Sequence, residues 1–129
     1  MPLARRVLVV DDDPVSLQVA KAVIEDLGYE VQTRDRALGT SLAIQRDRPD
    51  VVLIDIAMPG VSGDAIVRLS RANPTIKNTI FILYSGDRAN DLAQLVRETG
   101  AHGAIAKTGD VHALARQFQT LVARNSPKG

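Results

Sequence analysis

Three carboxylates, one hydroxyl and one ammonium stand at comparable places in this chain, each closing a short apolar run. Asp11 and Asp12 follow Val7-Leu8-Val9-Val10, and Asp55 follows Val51-Val52-Leu53-Ile54. Ser85 follows Thr79-Ile80-Phe81-Ile82-Leu83-Tyr84, and Lys107 follows Gly103-Ala104-Ile105-Ala106. Runs this short are too brief for helices and read as strands buried on both faces. A charge that closes such a strand stays at the rim, where water, a cation or a ligand reaches it, because burying it alone is costly. Carboxylates gathered at one rim repel and take up protons unless a divalent cation neutralises them. All-oxygen ligation favours a hard ion such as magnesium, which keeps open positions that could accept a phosphoryl oxygen.

These ends need elements to position them. Pro14 fits the first turn of a helix capped by Asp13, with Val19, Ala20, Val23, Ile24 and Leu27 recurring at spacings of three and four and Gly28 placed to stop it. Tyr29 to Thr33 reads as a short edge strand. From Arg36 to about Arg48, Leu38, Leu42 and Ile44 are loosely helical around Gly39, and Pro49 closes the stretch. Met58-Pro59-Gly60 and Ser62-Gly63 are loop chemistry, a helix opens at Asp64, and Asn73-Pro74 ends it. Ser85-Gly86-Asp87 stops the fourth strand, Leu92, Leu95 and Val96 mark the next helix, and Gly100 is its natural end. Asp110 caps a last helix with Val111, Leu114, Ala115, Phe118, Leu121 and Val122 on one face, and Asn125 to Gly129 reads as a frayed tail.

Five strands alternating with five helices predict an α/β fold, a doubly wound parallel sheet with helices on both sides and right-handed crossovers. In such sheets ligands collect outside the carboxyl ends of the strands, where strand order reverses, and there the five polar side chains fall. His102 and His112 have no acidic or nucleophilic partner in sequence reach and read as surface histidines; Tyr84 reads as packing.

At 129 residues the chain is the size of one domain, with a core expected over about 6–124 and no linker or repeat to mark a second unit. Sixteen Lys and Arg against fifteen Asp and Glu leave a net charge of +1, so no global field argues for nucleic acid or an anionic membrane. The absence of Cys removes disulfides and thiolate metal sites, no run approaches membrane-spanning length, and the chain enters a strand within a few residues of Met1. The expectation is a cytoplasmic protein without nucleic-acid or membrane contacts.

Val9-Val10-Asp11-Asp12, Asp55-Ile56-Ala57-Met58-Pro59-Gly60 with Gly63, Ser85 before the small Gly86, and Lys107 occur in one order. In that combination the chain resembles the receiver domain of two-component response regulators, of the chemotaxis-regulator type, over about Arg6 to Arg124. The resemblance implies a flavodoxin-like sheet of strand order 2-1-3-4-5. It implies that Asp55 is the phosphoacceptor and that Asp12, Asp55 and the backbone carbonyl of Ala57 bind magnesium, Asp11 contributing through water. Ser85 would hydrogen-bond the phosphoryl group, Lys107 would pair with it, and Ala57 and Asp87 would influence how long it survives. The donor would be a phosphohistidine on a histidine kinase or phosphotransfer protein, and output would pass to an effector protein. Such a protein is a signalling switch supporting its own phosphorylation and dephosphorylation rather than an enzyme.

Two departures concern output. Where the family usually has an aromatic residue on the fifth strand and a proline after the lysine, this chain has Ala104 and Thr108. No ring is then present to swing as Ser85 moves, and Thr108 removes the reason for a cis peptide. A pseudo-receiver that is not phosphorylated is one competing reading. Another is a haloacid-dehalogenase-type phosphatase, since Asp11-Asp12-Asp13-Pro14-Val15 fits an Asp-x-Asp-x-Val opening with Asp11 as nucleophile and Asp13 as acid/base. That reading leaves Asp55 unexplained and finds no cap domain.

Overall fold

The computed structural model describes residues 6–60, 62–86 and 91–126. Strands and helices alternate through them: β1 (Arg6–Val10), α1 (Pro14–Asp26), β2 (Glu30–Arg34), α2 (Thr40–Asp47), β3 (Val51–Asp55), α3 (Gly63–Ala72), β4 (Ile80–Ser85), α4 (Leu92–Thr99), β5 (Gly103–Ala106) and α5 (Val111–Asn125). The strands form one parallel sheet in the order β2-β1-β3-β4-β5, the expected doubly wound arrangement with its reversal between β1 and β3. No described helix is long and apolar enough to cross a membrane.

Side chains alternate across a strand, so each central strand supplies both cores. Val7, Val9, Val51, Leu53, Ile80, Ile82, Tyr84 and Ile105 pack with α1 and α5 on one face. Leu8, Val10, Val52, Ile54, Phe81 and Leu83 pack beneath α2, α3 and α4 on the other. Every residue of β3 and β4 is buried, as continuous apolar runs require. The registers Val10↔Ile54, Asp55↔Tyr84 and Ser85↔Ala106 bring the polar strand ends to one rim.

Several predicted details are revised. The helix expected from Arg36 starts only at Thr40, because a turn held from β2 precedes it. Arg34 donates from Nη2 to the Leu38 carbonyl at 2.9 Å and from Nε to Thr40 Oγ1 at 3.1 Å, while Thr40 Oγ1 donates to the Arg36 carbonyl. Gly39 at the turn has φ +83°, and a Cβ there would lie 2.9 Å from Arg34 Nη2. Of the loosely helical pattern Leu38, Leu42 and Ile44, only Ile44 is buried, beside Ala37 and Ala43, while Leu38 and Leu42 are 79% and 70% exposed. On α1, Val19 faces outward and Leu17 takes the core position beside Ala20 and Ile24. Val111 and Leu69 are likewise exposed, and Asn125 belongs to α5, its side-chain amide donating to the Leu121 carbonyl at 2.8 Å.

His102 is a clearer correction, since it is not a surface histidine. It leads into β5 and extends the pairing with β4: its N–H donates to the Phe81 carbonyl at 2.8 Å, and its Nδ1 accepts the Phe81 N–H at 3.0 Å. Burial, reinforced by the nearby Arg71 charge, lowers its pKa from 6.5. A depressed histidine pKa means that the folded state binds fewer protons than the unfolded one, so its stabilising contribution is present above the unfolded value and is lost as pH falls through the folded one. Thermal melts between about pH 7 and pH 5 should therefore show wild-type stability declining on acidification. His102→Asn, which keeps an acceptor but cannot protonate, should lose that component of the slope.

Candidate functional site

The rim at the ends of β1, β3 and β5 gathers the charged groups. Asp11, just past β1, is fully buried, whereas Asp12 is exposed and Asp55, the last residue of β3, is buried. One carboxylate oxygen from each lies within 4.8 Å of the others, a grouping able to hold a metal ion. Strand alternation explains the pairing with Lys107: Asp11, Asp55, Tyr84 and Lys107 continue the positions that face α1 and α5, and Ser85 continues the opposite set.

Lys107 Nζ lies 2.7 Å from Asp11 Oδ2 and donates a 3.2 Å hydrogen bond to Asp55 Oδ2. The other oxygens are held by backbone amides: Asp13 N–H donates to Asp11 Oδ1 at 3.0 Å, and Ala57 N–H donates to Asp55 Oδ1 at 2.9 Å. Asp11 Oδ2 is ion-paired with Lys107 but lacks hydrogen-bond geometry to any described group. Burial pushes the Asp11 carboxyl above its usual range against the pull of Lys107. Burial works against the Lys107 ammonium too, but Asp11 and Asp55 outweigh it and hold its pKa high. Three carboxylates around one ammonium remain short of positive charge. An all-oxygen donor set with a buried, incompletely satisfied lone pair suits a hard divalent cation such as magnesium.

The remaining predicted residues fall as follows. Ser85 is buried at the end of β4, opposite Ala106 in register. Ala57 follows β3 and supplies the amide to Asp55. Ala104 is half-buried on β5 opposite Leu83, and Thr108 is exposed, its hydroxyl accepting the Asp110 N–H at 3.2 Å. Asp87 lies outside the described residues. Asp13, the acid/base of the phosphatase alternative, is instead a helix cap: Oδ1 accepts from Val15 N–H and Oδ2 from Ser16 Oγ, and the Ser16 bond leads in holding its pKa low.

Three residues play parts that the sequence reading did not give them. Tyr84 packs, as expected, but its ring also lies 5.0 Å from Lys107 Nζ. Its signal was period-two spacing with Ile80 and Ile82, matching Val51, Leu53 and Asp55. Arg34 anchors the acidic loop, its carbonyl accepting the Asp11 N–H at 3.0 Å, and nothing local marks it. Gly63 permits α3 to start against β3, because a Cβ there would lie 2.1 Å from the Asp55 carbonyl oxygen. A groove of about 630 Å³ between α1 and the end of β2, lined by Asp12, Gln18 and Arg34, leaves Asp12 open to solution.

A family model for the response regulator receiver domain matches residues 7–119. Protein PilH of Pseudomonas aeruginosa is 31% identical over 120 residues, covering 92% of this chain and 98% of PilH. Response regulator PleD of Caulobacter vibrioides is 31% identical over 124 residues, but the chain spans only 26% of PleD's length. Among solved structures, the chemotaxis response regulator CheY4 of Vibrio cholerae superposes with a TM-score of 0.82 at 26% identity, covering 92% of this chain and 98% of CheY4. With its sheet order, its rim of aspartates and the family pattern matched over residues 7–119, this chain belongs to the response regulator receiver domains of two-component signalling.

Proposed function

We propose that this receiver acts in the cytoplasm by taking a phosphoryl group on Asp55 from a phosphohistidine of a histidine kinase or phosphotransfer protein, and passes the change to an effector protein. The main support is the convergence of Asp11, Asp12, Asp55 and Lys107 on one rim. Magnesium would be held by Asp12, Asp55 and the Ala57 carbonyl, with Asp11 through water; when bound it supplies positive charge for the oxygens of the transferring group.

The chain's own residues then have distinct tasks. Asp55 attacks phosphorus in line, an O–P bond forms, the P–N bond breaks, and its electron pair returns to the donor imidazole. Ala57 N–H fixes one Asp55 oxygen, which limits the carboxylate's rotation. Lys107 meets the charge on the phosphoryl oxygens and Ser85 donates a hydrogen bond to one of them, so the assistance is electrostatic and positional. The family pattern gives Ala57 and Asp87 the role of setting the group's lifetime. With Ala104 and Thr108 at the usual switch positions, the response of the surface made by α4, β5 and α5 departs from the family's coupled movement of an aromatic ring.

The test is incubation with magnesium and a phosphohistidine donor or a small-molecule phosphodonor, followed by peptide mass spectrometry. The expected result is a phosphoryl group on Asp55 that fails to form in the presence of a chelator. No modification with any competent donor would favour a pseudo-receiver. Steady hydrolysis of a phosphate ester, lost in Asp11→Asn and kept in Asp55→Asn, would favour the phosphatase.

A further inference from the structure

The chain has two Phe and two Tyr, and all four serve the cores. Phe81 and Phe118 are fully buried, and Tyr29 meets Phe118 edge to face with ring centroids 5.4 Å apart. Tyr84 packs in the α1 and α5 core but reaches the rim as well, lying in register with Asp55 on one neighbouring strand and Ile105 on the other. Lys107 is two residues beyond Ile105 on the same face, and its ammonium stands 5.0 Å from the Tyr84 ring centroid, within cation–π range. The ammonium therefore has Asp11 Oδ2, Asp55 Oδ2 and a ring as neighbours.

We propose that Tyr84 is a positioning residue, whose ring backs the Lys107 ammonium and keeps it aimed at the place beside Asp55 where a phosphoryl group is received. A lysine side chain has much rotamer freedom and its head group three equivalent donors, so two carboxylates at 2.7 and 3.2 Å leave its direction loosely set. The face of a buried ring is attractive to a cation, whereas an aliphatic side chain of similar volume is not. Tyr84 touches no transferring atom and acts only through Lys107. This inference rests on Asp55 being the phosphoryl acceptor.

The experiment compares wild type with Tyr84→Phe, Tyr84→Leu and Tyr84→Met, using magnesium and beryllofluoride as the phosphoryl mimic, with folding checked by amide spectra. Tyr84→Phe retains the ring and should bind within about twofold of wild type, while Leu and Met should each bind roughly threefold to tenfold more weakly. In wild type and Tyr84→Phe the Lys107 ε-methylene protons should carry an upfield ring-current shift that is absent in the Leu and Met variants. Folded Leu and Met variants that bind as wild type does, or a wild-type Lys107 without the shift, would overturn the proposal. So would a Phe variant as weak as the Leu one, since the hydroxyl and not the ring would then matter. Failure of the wild type to bind beryllofluoride would instead sink the acceptor reading of Asp55, and the ring-current measurement would still judge the Tyr84–Lys107 contact.

Discussion

Asp55→Asn should accept no phosphoryl group and yet melt at a higher temperature than the wild type. The amide oxygen is no nucleophile, so the acyl phosphate and beryllofluoride adducts should vanish completely. Stability should move the other way, because Asp55 is 5% exposed and shares its rim with two other carboxylates and one ammonium. Removing one like charge while keeping the side chain's shape, the Ala57 amide bond and the Lys107–Asp11 pair should stabilise by about 1–2 kcal/mol, or roughly 3–6 °C in Tm. Magnesium should then raise the melting temperature of the wild type more than that of the variant, since binding to the folded state stabilises in proportion to affinity. Melts in chelator and in magnesium, for both proteins, measure the effect. A variant less stable than wild type without magnesium would show that the Asp55–Lys107 ion pair outweighs the crowding of charge.

Gly63→Ala should be the most damaging single methyl addition at this site. Its Cβ would stand 2.1 Å from the Asp55 carbonyl oxygen, 2.8 Å from the carbonyl carbon and 3.0 Å from Ile56 Cα, all backbone atoms that cannot rotate aside. Either α3 retreats and withdraws its own core residues Ile66 and Val67 from the sheet, or the end of β3 moves and takes Asp55 with it. The expected cost is about 3 kcal/mol, the upper part of the range for forced overpacking, and a fall in Tm of roughly 10 °C. Beryllofluoride affinity, read on whatever fraction remains folded, should drop at least about tenfold, since displacements near an ångström at a reacting group have effects of that order. Wild-type affinity and stability in Gly63→Ala would show that the loop before α3 absorbs the methyl group without disturbing Asp55.

The strands and the polar residues that close them were legible in the order of residues alone. Parallel strands buried on both faces must be continuous apolar runs, and Val51 to Ile54 or Ile80 to Leu83 have no other use for so many branched side chains. Because such runs end where the sheet ends, Asp11, Asp55, Ser85 and Lys107 announced a common rim before any coordinates. The caps of α1 and α5 were equally local, since Asp13 and Asp110 bond to amides only two or three residues away.

Contacts made across the fold were not legible. The start of α2 depends on a guanidinium reaching over from β2, and Leu38 and Leu42 point outward because that turn sets the helix's rotation. His102 looked solvated until strand register set its imidazole against the Phe81 amide, 21 residues earlier. Tyr84 looked like core until alternation on two adjacent strands placed its ring beside Lys107. Gly63 looked like loop chemistry until α3 was seen to begin against the Asp55 carbonyl. Sequence by itself determined which residues are strand and which polar side chains close the strands at the rim, because these follow from short-range periodicity and from the cost of burying charge. Tertiary structure alone decided which side chains meet, because that is set by register between strands and by how closely helices approach the sheet, and neither leaves a mark within one turn or one strand of chain.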